Sequence, residues 1–114
     1  MLKFDTKASI YLRTGATDMR KSVNGLCSLV QTDMKLNPFE SGYFVFCNKR
    51  RYLLKLLYWD KTGFALWYKR LEKHKFPWPE EKRDVQKISA EQIDWLLSGI
   101  DFFKAHKKLH FSTV

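Results

Sequence analysis

Apolar and polar residues alternate in short blocks through residues 43–78, where the pattern is clearest. Three apolar runs cover residues 43–47, 52–59 and 63–70, and polar or glycine-containing turns separate them. Runs of about five to eight residues bounded by such turns are typical of β-strands. The Asp-Lys-Thr-Gly connection at residues 60–63 predicts a four-residue hairpin loop with Gly63 at a positive φ. The pattern therefore predicts a three-strand antiparallel meander.

The middle run of this meander is apolar on both of its alternating faces. Leu54 and Leu56 fall on one face, whereas Leu57 and Trp59 fall on the other. Because successive side chains of a strand point to opposite sides of a sheet, this composition predicts a central strand that is covered on at least part of each side.

A short strand and a helix are predicted before the meander. Ile10 and Leu12 alternate with polar residues in residues 8–13, which is the pattern of a half-buried strand. Apolar residues at spacings of three, four and seven then indicate an amphipathic helix over residues 18–34. We expect Thr17 to cap this helix and Asp18 to stabilise its positive end. The apolar stripe consists of Met19, Val23, Leu26, Cys27, Val30 and Met34.

The segment after the meander predicts a short strand and a second helix. Prolines at positions 77 and 79 end the strand region, and residues 85–88 predict a short final strand. Ser89 and Gln92 have the spacing of a capping box, which opens a helix that ends at Gly99. The positions expected to face inward are Ile93, Leu96, Leu97 and Ile100.

These elements predict an α+β fold in a single domain of residues 1–114. The expected architecture is an antiparallel sheet of about four to five strands, with one long amphipathic helix packed on it and a shorter C-terminal helix. A chain of 114 residues buries roughly 65% of its unfolded surface, which is enough for a core without disulfides. We expect residues 8–101 to form the core and residues 102–114 to form a basic, loose tail.

The positive charge of the chain coincides with its most aromatic segment. The chain has 21 Lys and Arg residues against 12 Asp and Glu, and residues 43–78 hold nine of these cations against two carboxylates. Eleven of the 18 aromatic residues lie in the same segment. Such a charge favours a polyanionic partner, most often nucleic acid. The competing interpretation is a solvated basic surface that only keeps the domain soluble.

The predicted meander brings two groups of cations to one edge of the sheet, because the turn at residues 48–51 and the end of the third strand lie at the same edge. We call this group the basic rim; it consists of Lys49, Arg50, Arg51, Lys69, Arg70, Lys73 and Lys75. Cations contact phosphates, and exposed aromatic rings stack on unpaired bases. The basic rim, with Tyr68 or Trp78 nearby, is therefore the predicted nucleic-acid-binding site. The alternative is that these aromatic residues belong to the core.

No catalytic, cofactor-binding or metal-binding pattern stands out in the sequence. Glu80 and Glu81 superficially resemble half of a metal-dependent nuclease motif, but prolines rather than a strand precede them. His74, His106 and His110 lie in basic surroundings without the spacing of metal ligands. We therefore predict no enzyme activity and no cofactor.

The cysteines predict buried thiols, and the hydropathy pattern predicts a protein without a targeting or membrane-spanning segment. Cys27 and Cys47 have no Cys or His at metal-ligand spacing, and we expect both to be inert buried thiols. The sequence shows no signal peptide and no apolar run of about 18 residues, so we expect a cytoplasmic protein without membrane contact.

Several short motifs resemble one family of proteins. They are Thr-Asp-Met-Arg-Lys at 17–21, Asn-Lys-Arg-Arg at 48–51, Tyr-Trp-Asp at 58–60, Trp-Tyr-Lys-Arg-Leu-Glu at 67–72 and Phe-Pro-Trp-Pro at 76–79. Over residues 8–101 the chain is similar to the Orf2-like accessory protein, called TnpB, of the insertion-sequence-sixty-six family of bacterial transposable elements.

The resemblance implies a protein that is encoded beside a separate, larger transposase and helps transposition. It supplies no catalytic residue. We hypothesise a non-enzymatic accessory protein that binds the DNA of the element ends, the transposase or both through the basic rim. The alternative is a protein-only adaptor of the transposase without nucleic-acid affinity, and a cryptic nuclease is the least favoured. The choice between DNA and RNA, the sequence specificity and the oligomeric state stay open.

Overall fold

The computed structural model describes residues 4–40 and 42–103, and it shows a mixed five-stranded sheet with one helix on each face. The strand order across the sheet is β4-β3-β2-β1-β5. The elements are β1 (Ile10–Leu12), α1 (Val23–Thr32), β2 (Tyr43–Cys47), β3 (Leu53–Asp60), β4 (Gly63–Arg70), β5 (Gln86–Ile88) and α2 (Ala90–Leu97).

The predicted meander is confirmed, but the prediction of a wholly antiparallel sheet is wrong. β2, β3 and β4 pair as successive antiparallel neighbours. β1 pairs in parallel with β2, because α1 carries the chain back along the sheet between them. β5 completes the sheet by pairing antiparallel with β1. The fold is therefore α+β with a mixed sheet.

The long helix predicted for residues 18–34 is wrong, since α1 is a helix of 10 residues that begins at Val23. Thr17 does not cap it: the Thr17 backbone N–H donates to the Cys47 carbonyl at 2.8 Å, and its hydroxyl accepts from Arg13 at 2.9 Å. Asp18 pairs with Arg20 instead of occupying the first turn of the helix. The segment before α1 is therefore held to the end of β2 and does not join the helix.

The apolar stripe of α1 covers one face of the sheet, as predicted. Leu26, Val30 and Met34 are buried against residues of β2 and β3. α1 packs on one face of β3 and α2 on the other, so β3 is buried on both sides. Its predicted central position is confirmed. The fully buried side chains of β3 are Leu54, Leu56 and Leu57.

α2 covers the other face, and its predicted caps are confirmed. The Ser89 side chain accepts from the Gln92 N–H, and the Gln92 side chain accepts from the Ser89 N–H. At the other end Gly99 has a φ of 81°, and the Gly99 and Ile100 amides donate back into the last turn. This is a Schellman motif. Ile93, Leu96 and Leu97 are buried, as expected.

The predictions for Ile100 and for the β3–β4 hairpin loop are wrong. Ile100 is 53% exposed, because the chain leaves the helix axis at Gly99 and turns this side chain outward. The β3–β4 hairpin has a two-residue loop, and its positive φ of 53° falls on Lys61 rather than on Gly63. Phe102, which was assigned to the tail, is buried against the α2 side of the core. Residues 104–114 of the predicted tail lie outside the described residues, so its looseness and the single-domain boundaries stay predictions.

An ion-pair network joins the segments that follow β1 and α1 to the loop before β5. The Asp33 carboxylate, just after α1, accepts from Arg13 at 2.8 Å and from Lys82 at 2.7 Å. These hydrogen bonds, that from Lys82 foremost, hold the pKa of Asp33 below its usual value.

In the part of the chain that the structure describes, no helix has the length and apolar character needed to cross a bilayer.

Candidate nucleic-acid interface

The loop at residues 48–51 places two cations at the tip of a tight turn. The Asn48 side chain accepts from the backbone N–H groups of Tyr52 and Leu53 at 3.0 Å each, and the Asn48 carbonyl accepts from Arg51 N–H. Arg51 has a φ of 64°, which closes the turn into β3. Asn favours this geometry because its side chain replaces a backbone acceptor. Lys49 and Arg50 are consequently exposed at the tip.

The end of β4 and the segment that follows it lie beside this loop. Arg70 is paired with Leu53 in the sheet, and the Leu71 N–H donates to the Tyr52 carbonyl at 2.8 Å. The chain then crosses under the loop, where the Phe76 N–H donates to the Arg51 carbonyl at 2.7 Å. The structure therefore brings the two groups of the basic rim to the same end of the sheet.

Trp78 anchors this end of the sheet from the inside. The ring is 6% exposed, and its Nε1–H donates to the Gly15 carbonyl at 3.0 Å. The Pro79 carbonyl accepts from the Gly15 N–H at 2.8 Å, so two hydrogen bonds join these segments. A ring this deeply buried has no open face for a base. Tyr68, in contrast, is 50% exposed at the same end of the sheet, so its ring is open to a ligand.

Three cations of the basic rim are engaged inside the molecule. Arg51 forms an ion pair with Glu80 at 3.0 Å, and Arg70 forms one with Glu72 at 3.1 Å. The Lys69 ammonium donates to the Leu97 carbonyl at 3.0 Å and so binds the C-terminal end of α2. This contact places Lys69 on the α2 face of the sheet.

The other four cations of the basic rim are exposed and have no hydrogen-bond or ion-pair partner within residues 4–40 and 42–103. We call them the free rim cations: Lys49, Arg50, Lys73 and Lys75. They border a set of adjacent depressions. One of about 370 Å³ contacts Lys49 and Lys75, and another of about 620 Å³ contacts Arg50, Lys73 and Lys75. Such an arrangement can neutralise several phosphates of one polyanion.

Two further basic residues of this end, Arg20 and Lys55, were not identified from the sequence. The helix predicted for residues 18–34 would include Arg20, but Arg20 lies in a turn and its side chain is 91% exposed. Its guanidinium hydrogen-bonds Asp18 and lowers the pKa of that carboxyl to about 2. Lys55 donates to the carbonyls of Met19 and Lys21 at 2.7 and 2.9 Å. The alternation of β3 indicated only which face Lys55 occupies.

The described residues contain no group of three or more His, Cys, Asp or Glu side chains placed to hold a metal ion. Glu80, considered for a nuclease site, is paired with Arg51. His74 lies exposed beside the free rim cations, whereas His106 and His110 lie outside the described residues.

Burial raises the pKa of the Cys47 thiol to about 12, and it also raises that of Cys27, which is only half-buried.

Comparisons with known proteins give a consistent result. Residues 8–107 match the family model described as IS66 Orf2 like protein. The chain is 38% identical over 102 residues to the uncharacterized protein y4hO of Sinorhizobium fredii (strain NBRC 101917 / NGR234), covering 90% of this chain and 89% of that protein. It is 34% identical over 99 residues to y4jC of the same strain, covering 87% and 85%. No solved structure matches the chain.

Proposed function

The chain belongs to the IS66 Orf2-like protein family, and from this premise we propose that it binds nucleic acid at the free rim cations during transposition of its element. Membership implies an accessory protein of IS66 transposition, and such accessory proteins are generally not catalytic. One observation carries the nucleic-acid part of the proposal: four exposed cations, which have no hydrogen-bond or ion-pair partner among the described residues, converge at one end of the sheet.

The strength of this contact follows from counterion release. Each phosphate that a cation neutralises contributes about 0.9 to the slope of log affinity against log salt. Four such contacts predict a loss of affinity on the order of 100-fold between about 50 and 200 mM salt. The engaged cations, such as Arg51 with Glu80, contribute less because an existing ion pair must be exchanged for the phosphate.

The proposed ligand is the DNA at the ends of the element, and the proposed protein partner is the separate transposase. A small basic protein held on both would raise the local concentration of the transposase at its substrate. The basic rim occupies one end of the sheet, so both helices and the opposite end remain available for a protein contact.

Charge-neutralised variants test this proposal in a transposition assay. The rim variant is Lys49→Gln with Arg50→Gln, and the control variant is Lys7→Gln with Lys61→Gln. Lys7 and Lys61 are exposed at the opposite end of the sheet, so both variants lose two charges. We expect the rim variant to lower the transposition frequency of a reporter element at least tenfold, and the control variant to leave it near the wild-type value. Equal frequencies in the two variants would refute the assignment of the rim.

One observation favours the second candidate function, a protein-only adaptor of the transposase. β4 is the last strand in the sheet order, and in the part of the chain that the structure describes its eight-residue outer edge has no neighbour. Such an edge can pair with a strand of a partner protein. Transposase capture by a wild-type protein that binds no nucleic acid would support this candidate instead.

A further inference from the structure

A groove with an aromatic floor adjoins the free rim cations on the α1 face of the sheet. It has a volume of about 690 Å³, and Tyr68 of β4 and Leu53 of β3 line it. The turn before α1, with Met19 and Arg20, also lines it. At one end lie Lys49 and Arg50. We call this depression the Tyr68 groove.

The walls of the Tyr68 groove are held in place. Lys55 lies opposite Tyr68 in the β3–β4 register, and its ammonium donates to the Met19 and Lys21 carbonyls at 2.7 and 2.9 Å. These two hydrogen bonds from Lys55 hold the turn before α1 close to the sheet. The Thr17 N–H bond to the Cys47 carbonyl holds the same turn from its other side. The groove is therefore formed without a ligand.

Tyr68 is an unusual exposed aromatic residue. Its neighbours on the same face of β4, Phe64 and Leu66, pack against the core beneath α1. α1 begins only at Val23, so the ring of Tyr68 is left half-exposed beyond the covered part of the sheet. Fully burying such a ring would be more favourable for folding alone. Its position beside exposed cations is the arrangement of a stacking platform.

The charge of the groove favours a polyanion. Arg20, Lys49, Arg50 and Lys55 line it against a single carboxylate, Asp18, which is paired with Arg20. That pairing orients the Arg20 guanidinium through three contacts of 2.8 to 3.1 Å, and the side chain stays 91% exposed. Lys49 and Arg50 have no partner among the residues described.

We propose that the Tyr68 groove binds unpaired nucleotides, with a base stacked on Tyr68 and the flanking phosphates on Lys49, Arg50 and Arg20. This inference rests on the proposed function and specifies the form of nucleic acid that the site takes. A duplex keeps its bases stacked on one another, so it presents only phosphates and groove edges to a protein ring. A single strand has free base faces and a flexible backbone that can enter the groove.

Tyrosine substitutions and matched oligonucleotides test the inference. The ligands are an oligodeoxyuridylate, an oligouridylate and a duplex DNA of the same length, titrated by fluorescence anisotropy at one salt concentration. We expect Tyr68→Leu to weaken binding of the single strands about tenfold, because base stacking on the ring is lost. Duplex affinity should stay within about twofold, since phosphate contacts are unchanged. Tyr68→Phe keeps the ring and should bind like the wild type.

Phe39→Leu is the matched control, because Phe39 is also an exposed aromatic residue, at 55%, and lies at the opposite end of the sheet against Trp59 and Phe64. It should leave all affinities unchanged. Equal weakening of single strands and duplex in Tyr68→Leu, or no weakening of either, would overturn the inference while the rim variant still lost binding. If the wild type bound none of the ligands, both the inference and the proposed nucleic-acid function would fall. A difference between the two single strands identifies the sugar that the groove prefers within the same chemistry.

Discussion

Replacing Trp78 by Phe separates the structural role of this residue from the stacking role that its position beside the basic rim suggests. The substitution removes the Nε1–H that donates to the Gly15 carbonyl at 3.0 Å. An orphaned buried acceptor costs about 1–2 kcal/mol, and the smaller ring leaves a void worth about 1 kcal/mol more. We therefore expect the free energy of unfolding to fall by about 2–3 kcal/mol. For a domain of this size that corresponds to a decrease in Tm of roughly 10 °C.

Urea unfolding followed by far-UV circular dichroism measures this change. Trp95→Phe is the control, because Trp95 is 38% exposed on α2 and is not part of the Gly15 contact. We expect it to change stability by less than about 1 kcal/mol. Nucleic-acid affinity of folded Trp78→Phe should equal that of the wild type. A stable Trp78→Phe variant with weakened binding would refute the reasoning, because it would place Trp78 on the ligand.

Three further predictions concern single residues. Gly99→Ala should lower the free energy of unfolding by about 1 kcal/mol because Gly99 has a φ of 81°. Gly63→Ala should not lower it, since the φ of Gly63 is not positive and an added Cβ would meet open space. Thermal melts of the two variants test this difference. Asp33→Asn should destabilise the protein by about 1 kcal/mol at neutral pH. Because the folded pKa of Asp33 lies below 3.8, its contribution to stability is present above that pH and is lost as pH falls through the lowered pKa. The unfolding curves of Asp33→Asn and of the wild type should therefore converge in acid. Native-state alkylation at pH 8 should modify half-buried Cys27 before buried Cys47, whose pKa is near 12, and mass spectrometry of the digest should detect the order; faster modification of Cys47 would contradict its burial.

The elements that local patterns specify were predictable. The meander follows from period-two alternation, and the α2 caps follow from a Ser–Gln spacing and a glycine that act within one turn. The start of α1 was not predictable in the same way. The Cys47 carbonyl, which takes the Thr17 N–H, comes from a strand that is distant in sequence. The parallel pairing of β1 is likewise a tertiary choice, because three alternating residues fit either direction.

In the candidate site, too, local patterns predict some features and distant residues determine the others. Hairpin geometry alone places the loop at residues 48–51 beside the end of β4, so the location of the basic rim was predictable. The state of each cation was not, because Glu80 and the Leu97 carbonyl reach the rim from later segments. The burial of Trp78 depends on Gly15, which lies 63 residues earlier in the chain. Arg20 entered the site only because the helix begins later than the pattern indicates.

Salt-dependent DNA binding tests the central claim, that the free rim cations bind nucleic acid, most directly. The purified wild type, the rim variant and the control variant are titrated with labelled element-end DNA and with a scrambled duplex, at about 50 and 200 mM salt. We predict that wild type and control lose affinity on the order of 100-fold over this range. The rim variant should bind more weakly, with a slope of log affinity against log salt that is smaller by about 2. Binding by the rim variant with the affinity and slope of the wild type would contradict the account.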